Sequence, residues 1–86
     1  MANHKSAIKR ARQSEEQRQR NRSRKTRMKN AIRTLEEAIA SKSRENAAVE
    51  LKQAVSIIEK TASKGVIHRN TASRKISRLT RRINAL

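Results

Sequence analysis

The sixteen residues from Arg12 to Arg27 contain no apolar side chain, and seven of them are arginine or lysine: Arg12, Arg18, Arg20, Arg22, Arg24, Lys25 and Arg27. Such a segment has nothing with which to join a protein core. It is either disordered in solvent or wrapped by something strongly anionic. The chain as a whole leans the same way, with 23 basic and 7 acidic residues among 86 and a net charge of +16. Self-repulsion at that charge works against any compact state and points to a polyanionic partner. The imbalance is local. Residues 1–30 hold eleven basic and two acidic side chains, residues 31–63 hold five of each, and residues 64–86 hold seven basic and no acidic ones. A neutral middle is therefore flanked by two cationic ends.

With no proline and one glycine, little in the chain interrupts a helix. Arg, Lys, Gln, Glu and Ala are all good helix formers. The predicted fold is all-α, a three-helix bundle whose long N-terminal helix projects beyond it. The first helix is expected from about Ser6 to Ala40, with Asn3 or Ser6 as its N-cap. Only its second half is amphipathic, where Met28, Ile32, Leu35 and Ile39 form one stripe. A polar break at Lys42, Ser43 and Arg44 follows, with Ser43 as a cap for the second helix. There Ala47, Leu51, Ala54, Val55, Ile58 and Ala62 share a face, which Ile57 widens as if the helix touched two neighbours. Gly65 reads as a C-cap that takes the left-handed conformation, with Val66 supplying the accompanying hydrophobic contact. The third helix begins near His68 to Thr71, with Asn70 or Thr71 as caps. Its seam is Ala72, Ile76, Leu79, Ile83 and Leu86, opposite Arg74, Arg78 and Arg81, with Lys75 and Arg82 on one flank.

Helix lengths then set the architecture. A helix from Ser6 to Ala40 is about 50 Å long, whereas the other two reach about 30 Å and cover only part of it. The stripe from Met28 to Ile39 marks the covered part. A single domain is expected, with a rod over about 6–27 and a bundle over about 28–86. Fifteen Ile, Leu and Val with two Met make a thin core, so a partner is expected to contribute to folding.

Composition excludes several chemistries. Without cysteine there is no disulfide framework and no thiolate metal site. His4 and His68 stand without cysteine or paired carboxylates, so they read as surface or phosphate-contacting residues rather than metal ligands. No cofactor and no catalytic constellation are expected. No apolar run approaches the ~20 residues of a membrane span, and the N-terminus lacks the apolar stretch of a secretory signal. The absence of aromatic residues removes recognition of single strands by stacking on aromatic rings. Reading of backbone and shape by Arg, Lys, Asn and Ser remains, which suits folded RNA, or DNA bound without sequence preference.

On a helical wheel the charges of residues 9–29 point in every direction, Arg10 and Arg24 roughly opposite Arg22 and Lys29. A membrane-surface helix would sort charge to one face. An all-round cationic rod suits a groove with phosphates on several sides, and in the free protein the same rod is expected to be disordered. The arginine forks of helix three favour phosphate over a generic acidic partner, and no acidic residue lies among them. Glu15 with Arg18 and Glu16 with Arg20 stand at helical spacing for weak pairs. Glu36, Glu37, Glu45, Glu50 and Glu59 are expected on the solvent face of the neutral middle.

Three stretches carry a resemblance. The opening MANHKSAIKRARQSEEQRQRN holds Asn3, Lys5, Ser6, Ala7, Lys9, Arg10, Arg18 and Asn21. The stretch SRKTRMKNAI follows, and KGVIHRNTASRKISRL at 64–79 holds Lys64, Gly65, Ile67, His68, Asn70, Ala72, Arg74, Ser77, Arg78 and Leu79. In these the chain resembles the bacterial small-subunit ribosomal protein S20 family over nearly its whole length, least so in the second helix. The resemblance implies direct binding to small-subunit ribosomal RNA, at the 5′ domain and the long penultimate helix. The residues named for contact are those matched polar positions and Gly65, together with His4, Arg12, Arg22, Arg24, Lys25, Lys29, Arg69, Lys75 and Arg81. The expected role is a structural component of the small subunit in the cytoplasm, without self-association and without a membrane. No targeting segment is expected, although the residues do not separate a bacterial from an organelle ribosome. The runner-up is an architectural DNA binder.

Overall fold

Two tight reversals, each closed by backbone hydrogen bonds, divide the chain into three helices: α1 (Ala2–Ala40), α2 (Arg44–Ser63) and α3 (Arg69–Asn84). The computed structural model describes residues 2–86, with side chains from His4 onward. Helix α1 begins earlier than expected. Ser6 lies inside it rather than at its start, and the Asn3 side chain, the other expected cap, lies outside the described residues. Nothing in the first ten residues interrupts the helix, because Lys, Arg and Ala there all favour it.

At the first reversal the Ser43 N–H bonds the Ala38 carbonyl at 3.3 Å and the Lys42 N–H bonds the Ile39 carbonyl at 3.0 Å. This is a Schellman motif, and its left-handed position is held by Lys42 at φ 58°. Ser43 is the N-cap residue of α2, but its side chain makes no capping bond. Only its carbonyl is used, accepting from Ala47 N–H at 2.9 Å.

The second reversal repeats the motif with the residue it favours. Gly65, at φ 76°, donates to Ala62 O at 2.9 Å, and Val66 donates to Thr61 O at 3.2 Å. The cap of α3 differs from the expectation. Neither Asn70 nor Thr71 serves, and His68 does, its Nδ1 accepting from the Asn70 N–H at 3.0 Å.

Helix α2 is central and packs against both α1 and α3. The core is Met28, Leu35 and Ile39 from α1, Ala47, Ala54 and Ile58 from α2, and Ala72, Leu79 and Ile83 from α3. Leu35 and Ile58 are its largest fully buried side chains. Ile32, Leu51, Ile57, Ala62 and Ile76 pack against it from half-buried positions. Thr61 is also buried, which its polarity concealed. Its hydroxyl is satisfied by the Ile57 carbonyl at 2.7 Å, so its methyl is free to pack. Leu86, expected on the seam, is 37% exposed instead, beyond the end of α3.

The molecule measures 64 × 21 × 14 Å, with a radius of gyration of 17.6 Å. A compact chain of this length would have a radius of about 12 Å. The excess comes from the N-terminal half of α1, in which residues 4–20 are all exposed. Burial begins with the half-buried Asn21 and Arg24 and becomes complete at Met28.

Candidate nucleic-acid interface

The exposed stretch of α1 displays His4, Lys5, Ser6, Lys9, Arg10, Arg12 and Arg18 around one straight helix. The Asn3 side chain lies outside the described residues. Helical periodicity alone spreads these groups about the axis, because no neighbouring element turns any of them inward. Local contacts are few. Arg18 and Glu15 pair at 3.8 Å with both side chains mostly exposed, an arrangement worth a few tenths of a kcal/mol. The expected Glu16–Arg20 pair does not form. Arg20 donates to Gln17 Oε1 at 3.0 Å instead, three residues back on the same helix.

Closer to the bundle, Arg22, Lys25 and Lys29 remain exposed, whereas Asn21 and Arg24 are half-buried, Arg24 lying beside α2. Arg24 Nη1 lies 3.5 Å from Asn21 Oδ1. These two continue the stripe of Met28, Leu35 and Ile39 with polar residues. The tight reversal at Lys42 runs α2 antiparallel to α1, so the C-terminal end of α2 returns to this level. Arg24 and Arg27 therefore share a cleft with Ile57, Lys60, Thr61 and Lys64. The cleft brings together Arg24 and Lys64 among the expected contact residues and adds Arg27 and Lys60 to them. Arg27 closes the cationic run that begins at Arg12, whereas the only sequence signal for Lys60 was its spacing of four from Lys64.

The turn from Gly65 to Asn70 leaves this same end of the bundle. Lys64, Gly65, His68, Arg69 and Asn70 are exposed there. The first turn of α3 contains no acidic residue to oppose an anion at its amide end. With Nδ1 accepting the capping bond, the His68 ring has Nε2 left for an outside partner.

Along α3, Arg74, Ser77, Arg78 and Arg81 are exposed and Lys75 is half-buried. Arg82 does not belong with them. Its Nη1 meets Glu36 Oε1 of α1 at 3.3 Å, so the basic flank does have one compensating acid. That acid comes from another helix, where the α3 sequence gives no sign of it. Only two ion pairs occur among the described residues, Arg18–Glu15 and Arg82–Glu36. The remaining cations of α1, of α3 and of the cleft have no carboxylate within 4 Å.

What this arrangement can do is hold phosphates in three places: around a rod, at a turn and along a helix face. Among the described residues no group of three His, Asp or Glu could hold a metal ion. None of the helices is long and apolar enough to cross a membrane.

Comparison with known proteins gives a consistent result. The family described as "Ribosomal protein S20" matches residues 2–84. A "Small ribosomal subunit protein bS20" from Syntrophobacter fumaroxidans is 73% identical over 86 residues, covering all of both chains. Proteins of the same description from Desulfotalea psychrophila and Desulfatibacillum aliphaticivorans are 59% and 54% identical over the whole of this chain, covering 97% and 98% of their own lengths.

Proposed function

This chain belongs to the ribosomal protein S20 family, and from that premise we propose that it braces small-subunit ribosomal RNA by inserting its cationic helix among phosphates of separate RNA segments. It is a structural component of the small ribosomal subunit rather than a catalyst, acting on cytoplasmic ribosomes of the bacterial type.

The observation that carries the mechanism is the N-terminal half of α1. Residues 4–20 are all exposed, and helical periodicity spreads their cations all round the axis. A duplex lying on one side would leave the far side of such a rod unused. RNA helices packed on several sides engage all of it, each Arg or Lys replacing counterions that the crowded phosphates would otherwise condense. The chain then divides by role, a rod over about 6–27 and a bundle over about 28–86 that positions it. The Lys64–Asn70 turn and the Arg74, Arg78 and Arg81 face hold further segments. The 5′ domain and the long penultimate helix of the small-subunit RNA are the proposed contacts. The polar side chains matched in the family resemblance, Asn3 to Asn21 and Lys64 to Arg78, are the proposed contact residues with Gly65 and the cations beside them.

No tertiary contact supports the rod in the free chain, so its helix rests on local propensity alone, and like charges oppose it. Binding supplies the missing support. Circular dichroism at 222 nm tests this: helicity is expected to rise when small-subunit ribosomal RNA is added. Tight binding with unchanged helicity would refute the coupling of folding to binding.

A further inference from the structure

Where α1 and α2 meet beside the Lys64 turn, the two helices enclose a cleft of about 170 Å³. We infer that it receives a single unpaired RNA nucleotide, its ring on Ile57 and Thr61 and its flanking phosphates on Arg24, Arg27, Lys60 and Lys64. The inference rests on the RNA-binding reading above and gives one site within it a specific ligand.

Three observations carry it. The first is charge. Four cationic side chains, two from α1, one from α2 and one from the residue that caps α2, line one small cleft, and none of them pairs with a carboxylate among the described residues. Glu59, the nearest acid in α2, lines the opposite groove against α3. Like charges converging in this way call for an anion between them.

The second is the floor. Ile57 is half-buried and Thr61 almost wholly so. The Thr61 hydroxyl is already committed to the Ile57 carbonyl, so it does not compete for a ligand's polar groups. A phosphate alone has no use for an apolar floor, whereas a nucleotide has both a ring and phosphates. The volume suits one ring, since a protein cavity of about 150 Å³ accommodates benzene.

The third is the set of planar groups. The chain has no aromatic residue, but guanidinium planes also stack on bases. Arg24 is half-buried at the cleft, with Asn21 beside its guanidinium. The grooves along the free part of the rod have the charge without the apolar floor. One of them is lined by Gln19, Arg22, Ser23, Thr26, Arg27 and Asn30.

The test uses the full chain with small-subunit ribosomal RNA. Because the chain has no cysteine, Ser56→Cys, at an exposed position one turn before Lys60 on α2, allows a short photo-crosslinker to be placed beside the cleft alone without removing any of its four cations. The expected result is crosslinking concentrated on one unpaired nucleotide. In parallel, Lys60→Ala should weaken binding about tenfold or more, the loss expected for one charge-assisted contact. Lys52→Ala, an equal loss of charge at an exposed position of α2 away from the cleft, should change affinity less than twofold. Crosslinks spread over paired segments, or equal effects of the two alanine variants, would overturn the cleft assignment while the wild-type chain still binds. Failure of the wild-type chain to bind the RNA would overturn the parent reading and this inference with it.

Discussion

The two reversals of this chain use the same hydrogen-bonding motif with opposite residue choices, and exchanging those choices should move stability in opposite directions. Lys42 sits at φ 58° and Gly65 at φ 76°. An L-residue in the left-handed region costs about 1–2 kcal/mol from the crowding of its Cβ. Replacing Lys42 by glycine removes that cost but adds about 0.4–1 kcal/mol of unfolded-state entropy. The net for Lys42→Gly is a stabilisation of about 0.5–1 kcal/mol. Gly65→Ala runs the other way, and a Cβ there would meet nothing within 4 Å. The loss is then backbone strain less the same entropy gain, about 0.5–1 kcal/mol with no steric surcharge. The two sites lie at opposite ends of α2, about 30 Å apart, so their effects should add. Urea unfolding followed at 222 nm is the assay. With a slope near 1 kcal/mol/M, the midpoint should rise by about 0.5–1 M for Lys42→Gly, fall by about 0.5–1 M for Gly65→Ala, and return close to wild type in the double variant. A Lys42→Gly protein less stable than wild type would refute the reasoning, because the left-handed backbone at 42 would then not be a source of strain.

Leu35 is fully buried, so Leu35→Ala should cost about 2–5 kcal/mol. Total stability for a chain of this length is about 4–13 kcal/mol, and a broad, shifted urea transition of the free protein is the expected sign. A shift under about 1 kcal/mol would contradict the packing described. His68→Ala should destabilise α3 by about 1 kcal/mol through loss of the capping bond to Asn70 N–H, with His68→Asn restoring most of it, as read by thermal unfolding. Arg82→Ala should change stability by less than about 1 kcal/mol, because both members of the Arg82–Glu36 pair are half exposed. A larger loss in low salt, abolished by Glu36→Gln in a double-mutant cycle, would show the pair to be worth more.

Much of this architecture is legible in spacing. Met28, Leu35 and Ile39 recur at helical intervals, and the face of α2 widens at Ile57 because that helix meets two others. Gly65 announces its turn because glycine is the residue that a left-handed position favours. Lys42 announces nothing, since its conformation is imposed by the short connection between two packed helices. His68 is hidden for a related reason. Imidazole is seldom an N-cap, and the stronger candidates Asn70 and Thr71 follow it closely. The Arg82–Glu36 contact and the cleft at Arg24, Arg27, Lys60 and Lys64 depend on the register of one helix against another. That register follows from the length of the Lys42 reversal and the size of the core side chains, neither of which shows in local charge. The burial of Thr61 has no sequence signal, because its internal hydrogen bond to Ile57 O is invisible there.

Direct recognition of folded ribosomal RNA is the central claim, and competition across a salt series tests it most directly. The measurement is the affinity of the full chain for small-subunit 5′ domain RNA and for an equal length of duplex DNA, from low to high salt. Each neutralised phosphate adds roughly −0.7 to −0.9 to the slope of log affinity against log salt. A steep slope is predicted for both ligands, with the preference for folded RNA retained at high salt, where nonspecific attraction has faded. Equal affinities that collapse together would contradict the account and leave an architectural DNA-binding role as the better description.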